Sequence, residues 1–93
     1  MKIIDNNLLE EFRSALYCEW CGMRTPQGCD PHHIFSKGAG RIDIRENLIS
    51  LDRWCHAKVH HGLMYVRKQM LEIAAKREGT TPEEIENKVM RLR

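Results

Sequence analysis

Histidine is concentrated in one part of this 93-residue chain. All five histidines and two of the four cysteines lie between Cys29 and His61. Imidazole titrates near neutral pH and binds transition metals, so histidines gathered in this way are typical of a metal site or a proton-transfer site. The sequence therefore predicts that this stretch carries the chemistry and that the other segments support it.

Two pairs of histidines differ in spacing and therefore in geometry. His56 and His60 are four residues apart in a segment with helical character, which places both rings on one helix face. His32 and His33 are adjacent on an expected strand, where successive side chains point to opposite sides. One of these two is expected to bind a cation with the helix pair, and the other to act on water. That division suits phosphodiester hydrolysis, which needs a Lewis acid and a separate base.

The cysteines predict a second, structural site. Cys18 and Cys21 form a C-x-x-C followed by glycine, a tight turn that aims both sulfurs at one point and is typical of zinc knuckles. Cys55 recurs downstream as a third sulfur. The fourth ligand is open between the favoured Asp52, whose oxygen zinc accepts, and Cys29. In the remaining alternative the site is incomplete and Asp52 only caps a helix.

Composition bounds the class of protein. The chain has 15 basic and 13 acidic residues, a net charge of +2, and no apolar run long enough to cross a bilayer. We expect a single domain over residues 1–93 with no signal peptide and no membrane partner, located in the cytoplasm. Thiols stay reduced there, so a C-x-x-C is more often a metal-ligand pair than a disulfide. A chain of this length has a thin core, to which a structural metal is a common addition.

Local patterns predict the elements that must position these residues. Residues 5–16 are expected to form a helix whose apolar stripe ends at Leu16 and whose capping box begins at Asn7. Two short strands are expected over 32–35 and 47–51, with a glycine-rich basic loop between them.

Three more helices complete the expected fold. One begins at Asp52 and ends near residue 62, and two charged helices follow over 63–78 and 82–92. The last of them has Pro82 at its first position, where proline is favoured. The pattern therefore predicts an α+β fold with a core over about 17–62 and flanking helices that pack on this core or on a partner.

The combined pattern C-x-x-C … H-H-I … N-L-I-x-L … C-H-x-x-x-H resembles the HNH nuclease family. The spacing is 14 residues from His33 to Asn47, nine from Asn47 to His56 and four from His56 to His60. The resemblance covers residues 18–61 and departs from the family where Asp52 replaces a cysteine. It implies a ββα-metal (His-Me finger) core with a two-stranded antiparallel hairpin and a zinc knuckle, of the small type that phages and mobile elements encode.

The resemblance implies a role for each matched residue. His33 would be the general base that takes a proton from the attacking water. Asn47 would orient this base and brace the loop between the strands. His32, His56 and His60 would hold a single catalytic divalent ion. The activity would be that of a DNA endonuclease or nickase that leaves 5′-phosphate and 3′-hydroxyl ends.

The resemblance also implies cofactors and partners. Imidazole ligands suit manganese, nickel or zinc better than magnesium, so manganese or nickel is expected to support hydrolysis at least as well as magnesium. Zinc would fill the knuckle. DNA is the expected partner, together with a second copy or a larger nuclease, packaging or repair complex bound through the C-terminal helices. The alternative is a catalytically inactive, zinc-stabilised nucleic-acid-binding or accessory module.

Four further residues in the same stretch have two open readings each. Lys37, Arg41 and Arg45 are expected to contact phosphate, or else to solvate the loop that carries them. Asp30 is expected to be a turn residue, with a hydrogen bond to an imidazole N–H as the alternative.

Overall fold

The order of the elements follows the order of the sequence patterns. The structure is a computed structural model that describes residues 2–35, 40–60 and 64–93. Lys37, one of the predicted phosphate contacts, lies outside these residues. The helices and strands are α1 (Asn6–Arg13), β1 (Asp30–His33), β2 (Leu48–Leu51), α2 (Arg53–His60), α3 (Met64–Glu78) and α4 (Pro82–Leu92), with a 3-10 turn over Arg45–Asn47. The α+β class, with one antiparallel hairpin and four helices in the described part of the chain, is thereby confirmed.

The hairpin of β1 and β2 carries the two adjacent histidines, His32 and His33. β1 and β2 pair antiparallel, with His32 opposite Ile49 and His33 opposite Leu48. All four residues of β2 are buried, and Ile49 joins the core cluster to which α3 and α4 contribute Ala74 and Val89. Because β2 is covered on both faces, its position is fixed by packing, and β1 takes its register from it.

The two C-terminal helices match their predicted bounds to within one residue. The Thr81 hydroxyl accepts a hydrogen bond from the Glu84 backbone N–H, and Pro82 occupies the first turn. Gly79 ends α3 with a φ of 72°, which a residue without a Cβ adopts freely. Ile85, near the start of α4, is buried. Strong caps and a clear apolar stripe made these helices predictable from local sequence.

The predicted bounds of two elements, α1 and β1, are wrong. α1 ends at Arg13, and Leu16 is exposed instead of continuing the stripe. Its cap is Asp5, whose Oδ1 accepts a hydrogen bond from the Leu8 backbone N–H, so Asn7 is already inside the helix. β1 runs over Asp30–His33, two residues earlier than expected. Past His33, the Ile34 N–H still donates to the Asn47 carbonyl, but the Phe35 N–H donates to the Asn47 side chain instead of the backbone.

Candidate metal centre and proton-transfer site

Three histidines converge between β1 and α2. Each of His32, His56 and His60 offers a ring nitrogen, and these atoms lie within 4.8 Å of one another. Nε2 of His60 is 3.1 Å from Nε2 of His56, because residues four apart on α2 lie on the same face. The His32 ring comes from the strand and lies with its centroid 5.3 Å from that of His56. This donor set fits a transition-metal ion.

Asp30 orients one of these ligands. It precedes His32 by two residues on β1, so both side chains share one strand face. Its Oδ2 lies 3.0 Å from Nδ1 of His56, which leaves Nε2 of that ring for an ion. The expectation of a turn at Asp30 was wrong, and the alternative of an acceptor for an imidazole N–H is confirmed. Strand period was the signal that could have decided it.

The histidine trio has the properties of an open ligand set. Burial, followed by the nearby His56 and His60, lowers the pKa of His32 to about 4. This ring is therefore neutral at pH 7 and presents an electron pair. His32 and His56 are partly exposed and His60 is exposed, so solvent or a substrate oxygen can reach the same point. Three protein ligands with an accessible remaining position are typical of catalytic metal sites.

His33 points to the other face of β1, as strand alternation predicted. Its side chain is almost buried, with 8% of the residue exposed, and its Nε2 lies 2.6 Å from Oδ1 of Asp43. An ionised carboxylate on Nε2 holds the proton there and leaves the electron pair on Nδ1. In the described part of the chain no hydrogen bond reaches Nδ1. The ring is thus arranged as a proton acceptor.

Asp43 is the site residue that the sequence did not single out. Its fully buried carboxylate accepts hydrogen bonds from the Arg41 guanidinium at 2.8 to 3.1 Å and from the Asp5 backbone N–H at 2.9 Å. Burial alone would raise the pKa of Asp43, but the Arg41 guanidinium, the Asp5 N–H and His33 together lower it to about 2. Asp43 is therefore ionised at every pH at which the protein would work. The R-x-D spacing of Arg41 and Asp43 gives no indication of His33, ten residues earlier.

The lowered pKa of Asp43 predicts loss of stability in acid. Its folded pKa of about 2 lies below the usual value of about 3.9, so its contribution to the free energy of unfolding is complete above pH 4 and is lost as the pH falls from 4 to 2. We expect the free energy of unfolding of wild type to exceed that of Asp43→Asn by about 2 kcal/mol at pH 7. The two values should converge near pH 2. Urea unfolding of both proteins across this range measures the difference. A difference in the free energy of unfolding that does not change with pH would contradict this prediction.

Asn47 braces the loop between the strands. Its side-chain Oδ1 accepts a hydrogen bond from the Phe35 backbone N–H at 2.8 Å, and its Nδ2 donates to the Ile42 carbonyl at 2.9 Å. Asn47 is fully buried, so these bonds replace water that it cannot reach. The side chain bonded to His33 is that of Asp43 rather than Asn47. Of the two roles expected for Asn47, the structure shows the bracing of the loop. Orientation of the base by Asn47 stays a prediction.

A second cluster combines three sulfurs with one carboxylate. Cys18, Cys21, Cys55 and Asp52 each place a ligand atom within 4.8 Å of the others. Oδ2 of Asp52 is 2.9 Å from Sγ of Cys21, while Oδ1 accepts a hydrogen bond from the Cys55 N–H and so caps α2. Gly22 closes the knuckle with a φ of 77°. This set of donors suits a tetrahedral zinc ion.

The carboxylate of this cluster is charged, whereas two of its thiols are protonated. The hydrogen bond with Cys21, then that from the Cys55 backbone, lowers the pKa of Asp52 to about 2, so its carboxylate is charged. Burial raises the pKa of the Cys55 thiol, and the bond to Asp52 raises that of Cys21. A bound divalent cation would displace these thiol protons and neutralise the negative charge that results.

Cys29 does not belong to this cluster. Its Sγ lies 3.2 Å from Oγ1 of Thr25 and 3.6 Å from the Tyr17 carbonyl, in a buried position. Of the two alternatives for the fourth member of the group, the structure brings Asp52 and not Cys29 to the other sulfurs.

The predicted phosphate contacts at Arg41 and Arg45 are both paired with carboxylates. Arg41 binds Asp43, as described above. Arg45 binds Glu11 and Glu78, and its guanidinium lies 5.3 Å from the centroid of the Phe12 ring. Contact of either residue with nucleic acid therefore stays a prediction.

Comparisons with known proteins give no match. No protein-family model, no curated protein and no solved structure matches the chain. Among the helices of the described residues, none has the length and apolar character needed to span a bilayer. The function is therefore inferred from the chemistry of the two clusters.

Proposed function

We propose that this protein is a metal-dependent endonuclease that hydrolyses phosphodiester bonds in DNA, with the histidine trio as its catalytic metal site and His33 as its general base. The observation that carries this proposal is that two adjacent histidines of β1 face different groups. His32 faces two helix histidines with converging ring nitrogens, while the next residue faces a buried, ionised Asp43. A module that only binds nucleic acid would not need a proton acceptor held in this way.

Each residue has one task in the proposed reaction. Nδ1 of His33 takes a proton from the attacking water, and Asp43 stabilises the imidazolium that forms. A divalent cation bound by the trio would stabilise the charge on the phosphate and on the departing 3′ oxygen. Asp30 and Asn47 act indirectly, since the first orients His56 and the second fixes the loop. The products have 5′-phosphate and 3′-hydroxyl ends.

The proposed cofactors divide between the two clusters. Zinc would be held by the three sulfurs and Asp52. Four protein ligands complete a tetrahedral zinc site, so no coordination position is left for a substrate. The trio consists of imidazoles, which bind manganese, nickel, cobalt or zinc better than magnesium. One tightly held zinc and one exchangeable ion are therefore expected in each chain.

Nicking of supercoiled plasmid tests this proposal. We expect relaxation with Mn²⁺ or Ni²⁺ at least as fast as with Mg²⁺, and no relaxation when divalent ions are omitted. His56→Ala removes one ligand atom and the partner of Asp30, so we expect at least about a 10²-fold loss of rate. The measurement is the initial rate of conversion to open circles on an agarose gel.

Lys76→Ala is a suitable control because Lys76 is an exposed residue of α3 outside both clusters and outside α2. It should nick within about twofold of wild type. The proposal fails if wild type is inactive with every one of these ions, or if His56→Ala nicks as fast as wild type. In that event the zinc-stabilised binding module becomes the better account.

A further inference from the structure

α2 presents an exposed tryptophan beside the histidine trio. Trp54 has 74% of its surface exposed, the highest value among the large apolar side chains that the structure describes. It does not belong to the core cluster, so packing within the described part of the chain does not account for it. An indole left in water loses the hydrophobic contact that usually holds this residue type. Its position therefore points to an external ligand.

Helix geometry places Trp54 on the same half of α2 as the exposed site histidine. Each residue turns the helix by about 100°. The solvent-facing half carries in angular order His60, Arg53, Ala57, Trp54 and Lys58, all of them exposed. Trp54 lies about 9 Å from His60 along the helix axis, because six residues separate them. Trp54 is therefore within a few nucleotides of the trio on a strand that crosses this half of the helix.

The charge of this surface fits a polyanion. Residues 53–71 contain no Asp or Glu but include Arg53 and Lys58. Neither of these two has a carboxylate partner among the described residues, in contrast to Arg41 and Arg45. Arg53 and Lys58 lie on either side of the exposed indole. Their charges can bind a phosphate backbone while the indole stacks on a base.

Resting on the proposed nuclease function, we propose that Trp54 stacks on an unpaired base close to the scissile phosphate, so that the substrate is single-stranded or locally unpaired DNA. In a duplex both faces of each base are covered by its neighbours, and an indole gains no stacking contact without unstacking a step. In an open strand every base offers a face. Lys58, one turn along α2 from Trp54, then contacts the backbone of the same strand.

Fluorescence anisotropy with two labelled probes tests this proposal. The probes are a 12-nucleotide oligo(dT) strand and a mixed-sequence 12-base-pair duplex, both without added divalent ion so that no cleavage occurs. We expect Trp54→Ala to weaken binding of the single strand by about 5- to 150-fold, the usual effect of losing one stacked base. Binding of the duplex should change less than about twofold. Trp54→Phe keeps an aromatic face and should retain most of the affinity for the single strand.

Two further variants separate stacking from charge and from general surface effects. Lys58→Ala should weaken both probes and reduce the salt slope for the single strand by about 0.7. Met90→Ala removes another exposed apolar side chain, 48% exposed on α4, and should change neither affinity. The proposal is overturned if Trp54→Ala binds the single strand as tightly as wild type does. Equal losses of affinity of Trp54→Ala for the single strand and the duplex also overturn it, since they indicate that Trp54 contacts a groove of the duplex.

The two proposals fail in different assays. If plasmid nicking is metal-dependent but Trp54→Ala keeps full affinity for oligo(dT), the nuclease stands and the stacking contact is rejected. If Trp54→Ala loses affinity for the single strand but wild type cleaves neither plasmid nor single-stranded DNA with any of the ions, the nuclease is rejected. The stacking surface then belongs to a binding module.

Discussion

His33→Ala should lower the rate of plasmid nicking by about 10²- to 10⁴-fold while leaving the metal content unchanged. The substitution removes the ring whose Nε2 is held by Asp43 and whose Nδ1 would accept the proton of water. It leaves the trio of ring nitrogens on His32, His56 and His60 in place. The measurement is the nicking rate with saturating Mn²⁺, together with metal analysis of the same samples.

Asp43→Asn is the informative companion to His33→Ala. It keeps the imidazole but removes the carboxylate that fixes the ring and its tautomer, so we expect a smaller loss of about 10- to 100-fold. A double variant should be no slower than His33→Ala alone, because Asp43 acts through His33. Additive losses, or full activity of His33→Ala with a normal thermal transition, would contradict the role of His33 as the base.

Cys18→Ser is expected to cost the protein its tightly held zinc and its cooperative unfolding. Cys18 is buried in the knuckle, and the four donors come in two pairs, from residues 18–21 and 52–55, which are far apart in sequence. Structural zinc contributes about 10–16 kcal/mol to the folding of zinc-finger peptides, as much as the entire stability of a small domain. We therefore expect a chain that is largely unfolded at 25 °C. Circular dichroism on heating and zinc analysis of the purified protein measure both effects.

Cys29→Ser provides a matched control for Cys18→Ser. Both residues are buried cysteines, but Cys29 bonds Thr25 and the Tyr17 carbonyl instead of facing the other sulfurs. It should keep one zinc per chain and unfold cooperatively, whereas Asp52→Ala should lose zinc. The opposite pattern, with zinc lost from Cys29→Ser and kept by Asp52→Ala, would exclude Asp52 as the fourth ligand.

Stability of the histidine site also depends on contacts that α3 makes with the N-terminal half. The Arg77 guanidinium donates to the Glu19 carboxylate at 2.6 and 2.8 Å and to the Leu48 carbonyl at 2.9 Å. It lies over the Phe12 ring, with 4.9 Å to the ring centroid. A guanidinium that reaches α1, the knuckle and β2 at once ties the C-terminal helices to the hairpin. The C-terminal helices therefore support the site even though they contribute no ligand to it.

The sequence by itself determined the features that depend on local geometry. The period of a strand separates His32 from His33, and the period of a helix brings His56 and His60 to one face. The knuckle at Cys18 and Cys21 and the capped C-terminal helices are likewise set by residues a few positions apart. These predictions succeeded because each depends on a short segment whose conformation its own residues favour.

Only the tertiary structure decided which distant groups meet. Asp43 reaches His33 because the connecting loop returns beside β1, and Asp30 reaches His56 because α2 packs against that strand. Asp52, rather than Cys29, joins the sulfurs because the end of β2 lies beside the knuckle. These pairings depend on the path of a loop and on the packing of the core, which no local spacing encodes.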